Sequence, residues 1–307
     1  MHLTLRQLSV FEAVARNLSY TKAAEELHLS QPAVSMQIRQ LEDSAGLPLL
    51  EKLGKTTHLT QAGQEMYNYA RNIGQELQEL DDVIEALKGV QRGHLRLSVA
   101  TTANSFATRI LGAFSKRYEG TTYSLDITNR KSLLKQLASN QADIVIMGKP
   151  PEELDLNVTP FMDNPLVVIA PPDHPLAKRR QTIPIEELQS ESFVVREMES
   201  GTRIAMERFF AERGIRMKTT IEMTSNSAIK HAVEAGLGLG LVSVHTLELE
   251  LEAKRLKILD IEGFPILRHW HAVHCKDKRL PPIAHAFLDF LFGEEAKDML
   301  KFPQSRS

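Results

Sequence analysis

Apolar and polar residues recur at helical spacing in three short segments near the start of the chain. The first segment has one apolar face, formed by Leu5, Leu8, Phe11, Val14 and Ala15. Ser19 and Ser30 are candidate N-caps of a second and a third helix, and Pro32 fits the first turn of the third. The third helix has an apolar face formed by Val34, Ile38, Leu41 and Ala45. This arrangement predicts a helix-turn-helix, although the same spacing also fits an ordinary helical hairpin.

The outer face of the third helix carries side chains suited to DNA. The candidate contact residues are Ser30, Gln31, Pro32, Ser35, Met36, Arg39 and Gln40. Gln, Ser and Arg side chains reach base edges or phosphates when such a helix lies in the major groove. Lys52 and Lys55, in the stretch LEKLGKTTHLT, are candidates for phosphate contact from a β-hairpin wing. Charge does not separate the two interpretations, because residues 1–60 hold six Lys or Arg and six Asp or Glu.

A single long helix is predicted from residue 60 to about residue 88. Its apolar residues follow a heptad spacing, at Met66, Ala70, Ile73, Leu77, Leu80, Ile84 and Leu87. One narrow apolar stripe on a long helix favours a dimerisation coiled coil, and the alternative is a helix packed on its own domain. Dimerisation would let two recognition helices contact a two-fold symmetric DNA site.

From about residue 93 the pattern changes to short strand-like runs. HLRLSVA, YSLDIT and ADIVIMG alternate with helical segments, which predicts a βαβαβ unit with a parallel sheet. A second set of runs follows in LVVIAP, SFVVRE, TTIEMT, GLVSV and LKILDI, and the chain then returns through RHWHAVHC to a final helix. Two α/β halves with a late return indicate two subdomains around a cleft.

Several strands of this region are followed by polar residues that open a helix. Ligands of open α/β sheets bind at the carboxyl ends of strands, against helix N-termini. The candidate ligand-binding residues are Thr101, Thr102, Ser200, Gly201, Thr202, Arg203 and Asn226, with Asn129 and Arg130 as weaker candidates. Hydroxyl, amide and backbone N–H donors beside helix starts suit a small anion. For each residue the alternative is a simple helix cap.

Composition excludes several other classes of protein. The 307 residues are 42% hydrophobic and 25% charged, with a net charge of −2, which is typical of a globular protein of about two domains. The single cysteine, Cys275, excludes an intrachain disulfide. The N-terminal residues do not resemble a signal peptide, so we expect a cytoplasmic protein. His269, His271 and His274 lack a partner motif for a metal, and GxSxG, HExxH and P-loop motifs are absent, so we expect no enzyme, metal site or cofactor.

The segment from LRQLSVF to LTQAG resembles the DNA-binding domain of LysR-type transcriptional regulators. The agreement runs through AAEELHLSQPAVSMQIRQLE, whereas Leu50 and Lys52 stand where the family usually has Phe and Arg. Lys52 keeps the charge but lacks the bidentate guanidinium. The C-terminal pattern resembles the type II periplasmic-binding-protein fold, which these regulators carry as an effector domain. IMGKPPEELD, REMESGTR and HWHAVHCKDKRLPP are similar to CbbR-type regulators of RuBisCO operons, whose typical effectors are phosphorylated sugars, phosphoenolpyruvate or nucleotides.

The resemblance implies an α plus α/β protein of three parts. These are a winged helix-turn-helix domain (1–60), a coiled-coil dimerisation linker helix (61–92) and a two-subdomain effector domain (93–307). Subdomain I spans about 93–163 and 268–302, and subdomain II about 164–267. The implied function is that of a DNA-binding regulator that senses a small anionic metabolite, in carbon fixation or central carbon metabolism.

The resemblance also implies the partners. They are promoter DNA, a small anionic effector, a second copy of the chain through the linker helix, and a homotetramer, with RNA polymerase as a further candidate. The alternative function is a cytoplasmic solute-binding protein with a helical dimerisation appendage, which the missing signal peptide and the apolar stripe of the linker helix disfavour.

Overall fold

The computed structural model describes residues 3–53, 56–87 and 93–301. The chain divides into two compact units, Met1–Ile84 and Glu85–Ser307. Within the described ranges, no helix is both long enough and apolar enough to cross a membrane.

Four helices and a two-stranded hairpin form the N-terminal unit. They are α1 (Leu5–Asn17), α2 (Tyr20–Glu26), α3 (Gln31–Ala45), β1 (Leu50–Leu53), β2 (Thr56–Leu59) and α4 (Gln61–Leu87). The predicted N-caps are confirmed: the Ser19 hydroxyl accepts a hydrogen bond from the Lys22 backbone N–H, and the Ser30 hydroxyl accepts one from Ala33. The helix-turn-helix therefore forms from local capping signals.

The core of this unit lies where α1, α2 and α3 meet. Phe11, Val34 and Leu41 are fully buried there. Leu5 is 54% exposed, so the prediction that it belongs to the apolar face of α1 is wrong. It stands in the first turn of α1, before the buried residues of the helix, which begin at Leu8.

Helix α4 divides its apolar stripe between two environments. Ala70 is buried in the core of the helix-turn-helix, and Met66 packs partly against it. Gly63 allows this approach, because a Cβ there would collide with the carbonyl oxygen of Leu49. Further along, the stripe becomes exposed at Ile73, Leu77, Leu80 and Ile84. The first part of the stripe thus packs on its own domain, and these four described positions of the second part are exposed.

The C-terminal unit contains two five-stranded sheets. Its strands are β3 (His94–Ala100), β4 (Thr122–Thr128), β5 (Ile144–Met147), β6 (Leu156–Asp163), β7 (Leu166–Ala170), β8 (Ser192–Arg196), β9 (Lys218–Met223), β10 (Leu239–Ser243), β11 (Lys257–Ile258) and β12 (His269–Cys275). Its helices are α5 (Asn104–Arg117), α6 (Arg130–Ala138), α7 (Gly201–Ala211), α8 (Asn226–Glu234), α9 (Glu248–Glu252), α10 (Pro282–Phe292) and α11 (Glu294–Leu300).

One sheet has the order β4-β3-β5-β12-β6 and the other β11-β7-β10-β8-β9. β3 pairs in parallel with β4 and β5, as the βαβαβ pattern predicts, and β12 returns antiparallel to β5. The edge strand β6, LNVTPFMD, was not predicted from the sequence. Its exposed positions and Pro160 weaken the strand pattern, and an edge strand tolerates both.

Two chain crossings connect the sheets. The first follows β6 and the second precedes β12. The backbone N–H of Asn164 in the first donates to the carbonyl of Arg268 in the second, at 2.7 Å, and Leu166 and Ile266 pair next to them. Arg268 therefore lies in the connection between the two sheets.

A buried ionic cluster joins the first sheet to the segment between β12 and α10. The Asp143 carboxylate accepts hydrogen bonds from Arg96, at 2.9 Å, and from the Lys278 ammonium, at 3.0 Å. Burial by itself would raise the pKa of Asp143, but Lys278 and Arg96 outweigh it and hold that pKa below its ordinary value. The carboxylate is therefore ionised inside the protein and paired from two sides.

Candidate DNA-binding face and effector cavity

The outward face of α3 is polar and exposed. Its inward face buries Val34, Ile38 and Leu41 in the core. The predicted contact residues on the other side are exposed or half-buried: Ser30, Gln31, Pro32, Ser35, Met36, Arg39 and Gln40. The Gln31 amide donates to the Ser35 hydroxyl at 2.8 Å, and Ser30 serves as the N-cap. The face therefore presents amide, hydroxyl, thioether and guanidinium groups to the outside.

Part of the acidic charge of the helix-turn-helix domain is used in contacts within the domain. Arg16 is paired with Glu12 at 3.0 Å and with Glu26 at 2.5 Å. The Glu42 carboxylate accepts the backbone N–H of Leu49 at 2.8 Å, at the start of β1. Residues 1–60 carry equal numbers of acidic and basic side chains. Part of the acidic charge is used in these internal contacts, whereas Arg39 stays exposed on α3.

The predicted wing is an antiparallel hairpin of β1 and β2. Lys52 is exposed on β1, opposite Thr57. Lys55 lies outside the described residues. The hairpin places one cation next to the helix-turn-helix, where a wing can contact a phosphate.

In the C-terminal unit, polar groups from both sheets converge on one cavity, which we call the inner cavity. It encloses about 430 Å³, including space open to solvent. Its lining comes from the carboxyl ends of β3, β4 and β5, the first residues of α6 and α7, and both crossings: Ala100, Thr101, Thr102, Thr128, Asn129, Arg130, Leu133, Met147, Gly148, Asn164, Arg196, Ser200, Gly201, Thr202, Arg268 and Trp270. No acidic side chain is among these residues.

Seven of the nine residues predicted to bind a ligand line this cavity: Thr101, Thr102, Asn129, Arg130, Ser200, Gly201 and Thr202. Asn129 and Ser200 also cap α6 and α7, so the cap interpretation applies to the same side chains. Arg203 is not in the lining, because its guanidinium is paired with Glu207 and donates to the Arg196 carbonyl. Asn226 lies behind the lining, where its amide oxygen accepts from Arg196 at 3.0 Å.

Arg196 is a buried arginine that the sequence analysis did not single out. It is 2% exposed, and its guanidinium is paired with the Glu197 carboxylate through contacts of 2.7 and 2.8 Å. It also donates to the Thr101 hydroxyl at 3.2 Å, so it joins the second sheet to the first. Its charge is compensated, and it acts chiefly as a framework for the cavity wall.

Arg268 is the second arginine that the sequence analysis missed, and it differs from Arg196. Its guanidinium donates to the Gly201 carbonyl at 2.9 Å, and a Cβ at Gly148 would collide with it. No carboxylate among the described residues pairs with it. Burial, with repulsion from Arg130 and Arg208, lowers the pKa of Arg268 to about 10. The side chain is still charged at neutral pH, and no described carboxylate compensates its charge.

Two buried polar atoms in the lining also lack partners within the described part of the chain. The indole N–H of Trp270, a residue 2% exposed, makes no hydrogen bond, and neither does the amide oxygen of Asn164. Buried polar groups are nearly always hydrogen-bonded, so such atoms in a cavity wall can bond to a ligand or to water. Together with Arg268 and the starts of α6 and α7, they form a site with donors for an anion and one acceptor for a hydroxyl.

A helix-turn-helix unit joined to a two-sheet unit with a ligand cavity is the architecture of a ligand-responsive transcription regulator. Residues 5–64 match the family model described as bacterial regulatory helix-turn-helix protein, lysR family, and residues 88–295 match the LysR substrate binding domain. The chain therefore belongs to the LysR family of transcriptional regulators.

Within this family, the chain is similar to regulators of RuBisCO operons. It is 57% identical, over 297 residues, to the RuBisCO operon transcriptional regulator of Allochromatium vinosum, covering 97% of this chain and 98% of that one. It is 44% identical to the regulator CbbR of Rhodospirillum rubrum, covering 94% and 95%. These relatives confirm the CbbR-like resemblance.

Solved structures agree with the fold. The CcmR regulatory domain of Synechocystis PCC6803, in complex with 2-PG, is 44% identical, with a TM-score of 0.63, and the match covers 65% of this chain and 95% of that one. CbnR, a LysR family regulator, has a TM-score of 0.69 at 20% identity, covering 98% and 100%. The CbnR likeness supports the fold alone.

Proposed function

We propose that this LysR-type regulator binds promoter DNA of carbon-fixation genes and responds to a small phosphate-bearing anion in the inner cavity. The observation that carries the effector assignment is the charge state of that cavity. It contains a guanidinium without a carboxylate partner, a buried indole N–H without an acceptor and two helix starts, and no acidic residue among its described lining. The names of the RuBisCO operon relatives support the target genes, and the 2-PG complex of CcmR supports the ligand class.

DNA recognition is assigned to the exposed face of α3, with Lys52 and Lys55 on the wing. The proposed division gives residues 1–60 to DNA binding, 61–92 to dimerisation and 93–307 to effector binding. The exposed stripe of α4, at Ile73, Leu77, Leu80 and Ile84, supports pairing with a second copy. A homotetramer and contact with RNA polymerase at the promoter complete the proposal.

The effector would act through the connection between the two sheets. The lining of the inner cavity comes from both sheets and from both crossings. A bound anion would therefore contact groups that move when the two sheets change their relative orientation. A ligand that binds one orientation more tightly shifts the population toward it. This supplies the differential contact that allosteric control of DNA binding needs.

A mobility-shift titration of the full-length chain tests the proposal. The DNA is the region upstream of its own gene, the salt concentration is fixed, and 2-PG, phosphoenolpyruvate or inorganic phosphate is added or omitted. We expect a specific shift that 2-PG or phosphoenolpyruvate alters at lower concentration than phosphate. A specific shift that no phosphorylated compound alters would refute the effector assignment and leave DNA recognition intact.

The DNA face is tested with Arg39→Ala against Arg216→Ala. Both arginines are exposed, and both substitutions remove one positive charge, but Arg216 lies in the C-terminal unit. Loss of a base or phosphate contact costs about 1–3 kcal/mol, so Arg39→Ala is expected to weaken specific binding about 5- to 150-fold. Equal affinities of the two variants would contradict the assignment of α3 as the recognition helix.

A further inference from the structure

A second, more exposed pocket adjoins the inner cavity on the far side of Arg268, and we call it the outer pocket. It encloses about 780 Å³, including space open to solvent. Its lining consists of Arg130, Lys149, Gly201, Ile204, Ala205, Arg208, Leu267, Arg268, His269 and His271. Four of these residues are cations and none is acidic. Of these residues, only Arg130, Gly201 and the two histidines stood out from the sequence.

Two of the four cations already have exposed acidic partners. Lys149 is paired with Glu152 at 2.6 Å, and Arg208 lies 3.7 Å from Glu212. Both pairs join residues close in sequence at the surface, where an ion pair contributes little. An anionic ligand can therefore compete for these two cations at small cost.

Among the described residues, the other two cations bond only to carbonyl groups. Arg130 donates to the Lys149 carbonyl at 2.8 Å, and Arg268 donates to that of Gly201. No carboxylate within the described ranges pairs with either arginine. The ring nitrogen Nδ1 of His271 is also buried without a hydrogen-bond partner there. The pocket therefore concentrates positive charge and an unused polar atom on the surface between the two sheets.

The outer pocket spans the two sheets. Lys149 and His271 belong to the β5 and β12 side, whereas Ile204 and Arg208 belong to α7, which packs on the second sheet. Arg130, Gly201 and Arg268 line both the outer pocket and the inner cavity. The Arg268 guanidinium lies between Gly148 and Gly201, and so stands at the boundary between the two spaces.

We propose that the outer pocket is a second anion-binding site, which takes a phosphate-bearing ligand of charge −2 or more and which is coupled to the inner cavity through Arg130 and Arg268. This goes beyond the proposed function, since the inner cavity can bind its effector with the outer pocket empty. The shared arginines set the sign of the coupling. An anion in the inner cavity neutralises them, so it weakens binding of a second anion outside, and the effect is reciprocal.

Isothermal titration of the full-length chain with inorganic pyrophosphate tests the site. Arg208→Gln and Lys149→Gln alter residues that line only the outer pocket, and Arg216→Gln is the matched control for loss of one exposed positive charge. Each outer-pocket variant is expected to weaken pyrophosphate binding about fivefold, and the double variant about 25-fold if the two contacts are independent. Arg208 is 74% exposed, so its replacement leaves the fold unaffected.

Thr102→Val separates the two sites, because Thr102 lines only the inner cavity. Thr108→Val, an exposed position on α5, is its control. We expect Thr102→Val to weaken the binding of 2-PG and to leave the affinity for pyrophosphate, measured without 2-PG, unchanged. In the parent protein, saturating 2-PG should weaken the binding of pyrophosphate about fivefold or more.

Three results would overturn the second site. One is equal pyrophosphate affinity in Arg208→Gln and Arg216→Gln. Another is a loss of pyrophosphate affinity in Thr102→Val as large as in Arg208→Gln, which would place pyrophosphate in the inner cavity. The third is a loss of 2-PG affinity in Arg208→Gln, which would mean one extended ligand spanning both spaces. If 2-PG fails to bind while pyrophosphate binding depends on Arg208, the effector assignment fails and the outer pocket stands.

Discussion

Replacing Arg268 with methionine separates effector binding from folding. Burial lowers the pKa of Arg268 to about 10, well below its ordinary value. The folded state thus holds this proton less tightly than the unfolded state, so the charged side chain destabilises the fold at pH 7. At about 1.4 kcal/mol per pKa unit, this cost is on the order of 3 kcal/mol. Methionine removes this cost, but it also removes the hydrogen bond to the Gly201 carbonyl, which contributes about 1 kcal/mol.

The unliganded variant is therefore expected to be as stable as the parent or up to about 2 kcal/mol more stable. Its affinity for the effector should fall, because a hydrogen bond to a charged group contributes about 1.5–3 kcal/mol. This corresponds to a Kd for 2-PG raised about 10- to 150-fold. The combination of lower affinity with undiminished stability is what distinguishes a ligand-binding arginine from a framework arginine.

Calorimetric titration with 2-PG and urea denaturation followed by circular dichroism measure the two quantities. Arg203→Met is the matched control, since Arg203 is paired with Glu207 and does not line the inner cavity. That variant should lose about 1 kcal/mol of stability and keep its affinity within about threefold. An Arg268→Met variant with unchanged affinity, or one destabilised as much as Arg203→Met, would refute the reasoning.

Two further predictions concern the framework of the molecule. Asp143→Asn removes the buried carboxylate that pairs with Lys278 and Arg96 and should cost about 3–5 kcal/mol at pH 7, measured by urea denaturation. Folding lowers the pKa of Asp143, so the ionised carboxylate stabilises the fold above the ordinary carboxyl pKa of about 3.9. This stabilisation is lost as the pH falls below that value. The Asp143→Asn variant should therefore lack this acid-dependent loss of stability. Leu80→Lys, at a position 54% exposed on α4, should shift sedimentation toward monomer, and Gln78→Lys, on the opposite side of the helix, should not. Dimers of unchanged strength in Leu80→Lys would exclude the α4 stripe as the pairing surface.

The parts of the protein that depend on local signals were predictable from the sequence. Ser19 and Ser30 cap α2 and α3 as predicted, because a cap involves residues only three apart. The parallel strands of the first sheet follow from buried apolar runs between helices. β6 was missed, because an edge strand with a proline carries a weak apolar pattern.

The effector cavity was predictable only in part. Thr101, Asn129 and Ser200 stand at strand ends before helices, a position that sequence order itself reveals. Arg196 and Trp270 lie within β8 and β12, and Arg268 precedes β12, so no spacing marks them as partners of those helix starts. A charged residue directly before a buried strand, as in RHWHAVHC, was the one available signal for Arg268.

Sequence alone determined the domain order, the helix-turn-helix and the long apolar stripe, because capping and periodicity are properties of neighbouring residues. The tertiary structure decided how charge is distributed. It pairs Arg16 with Glu12 and Glu26, and it places Arg268 between two glycines, where no carboxylate of the described residues pairs with it. Whether a charge is compensated depends on groups brought within a few ångströms by long-range packing, and the burial that strengthens such interactions exists only in the folded chain.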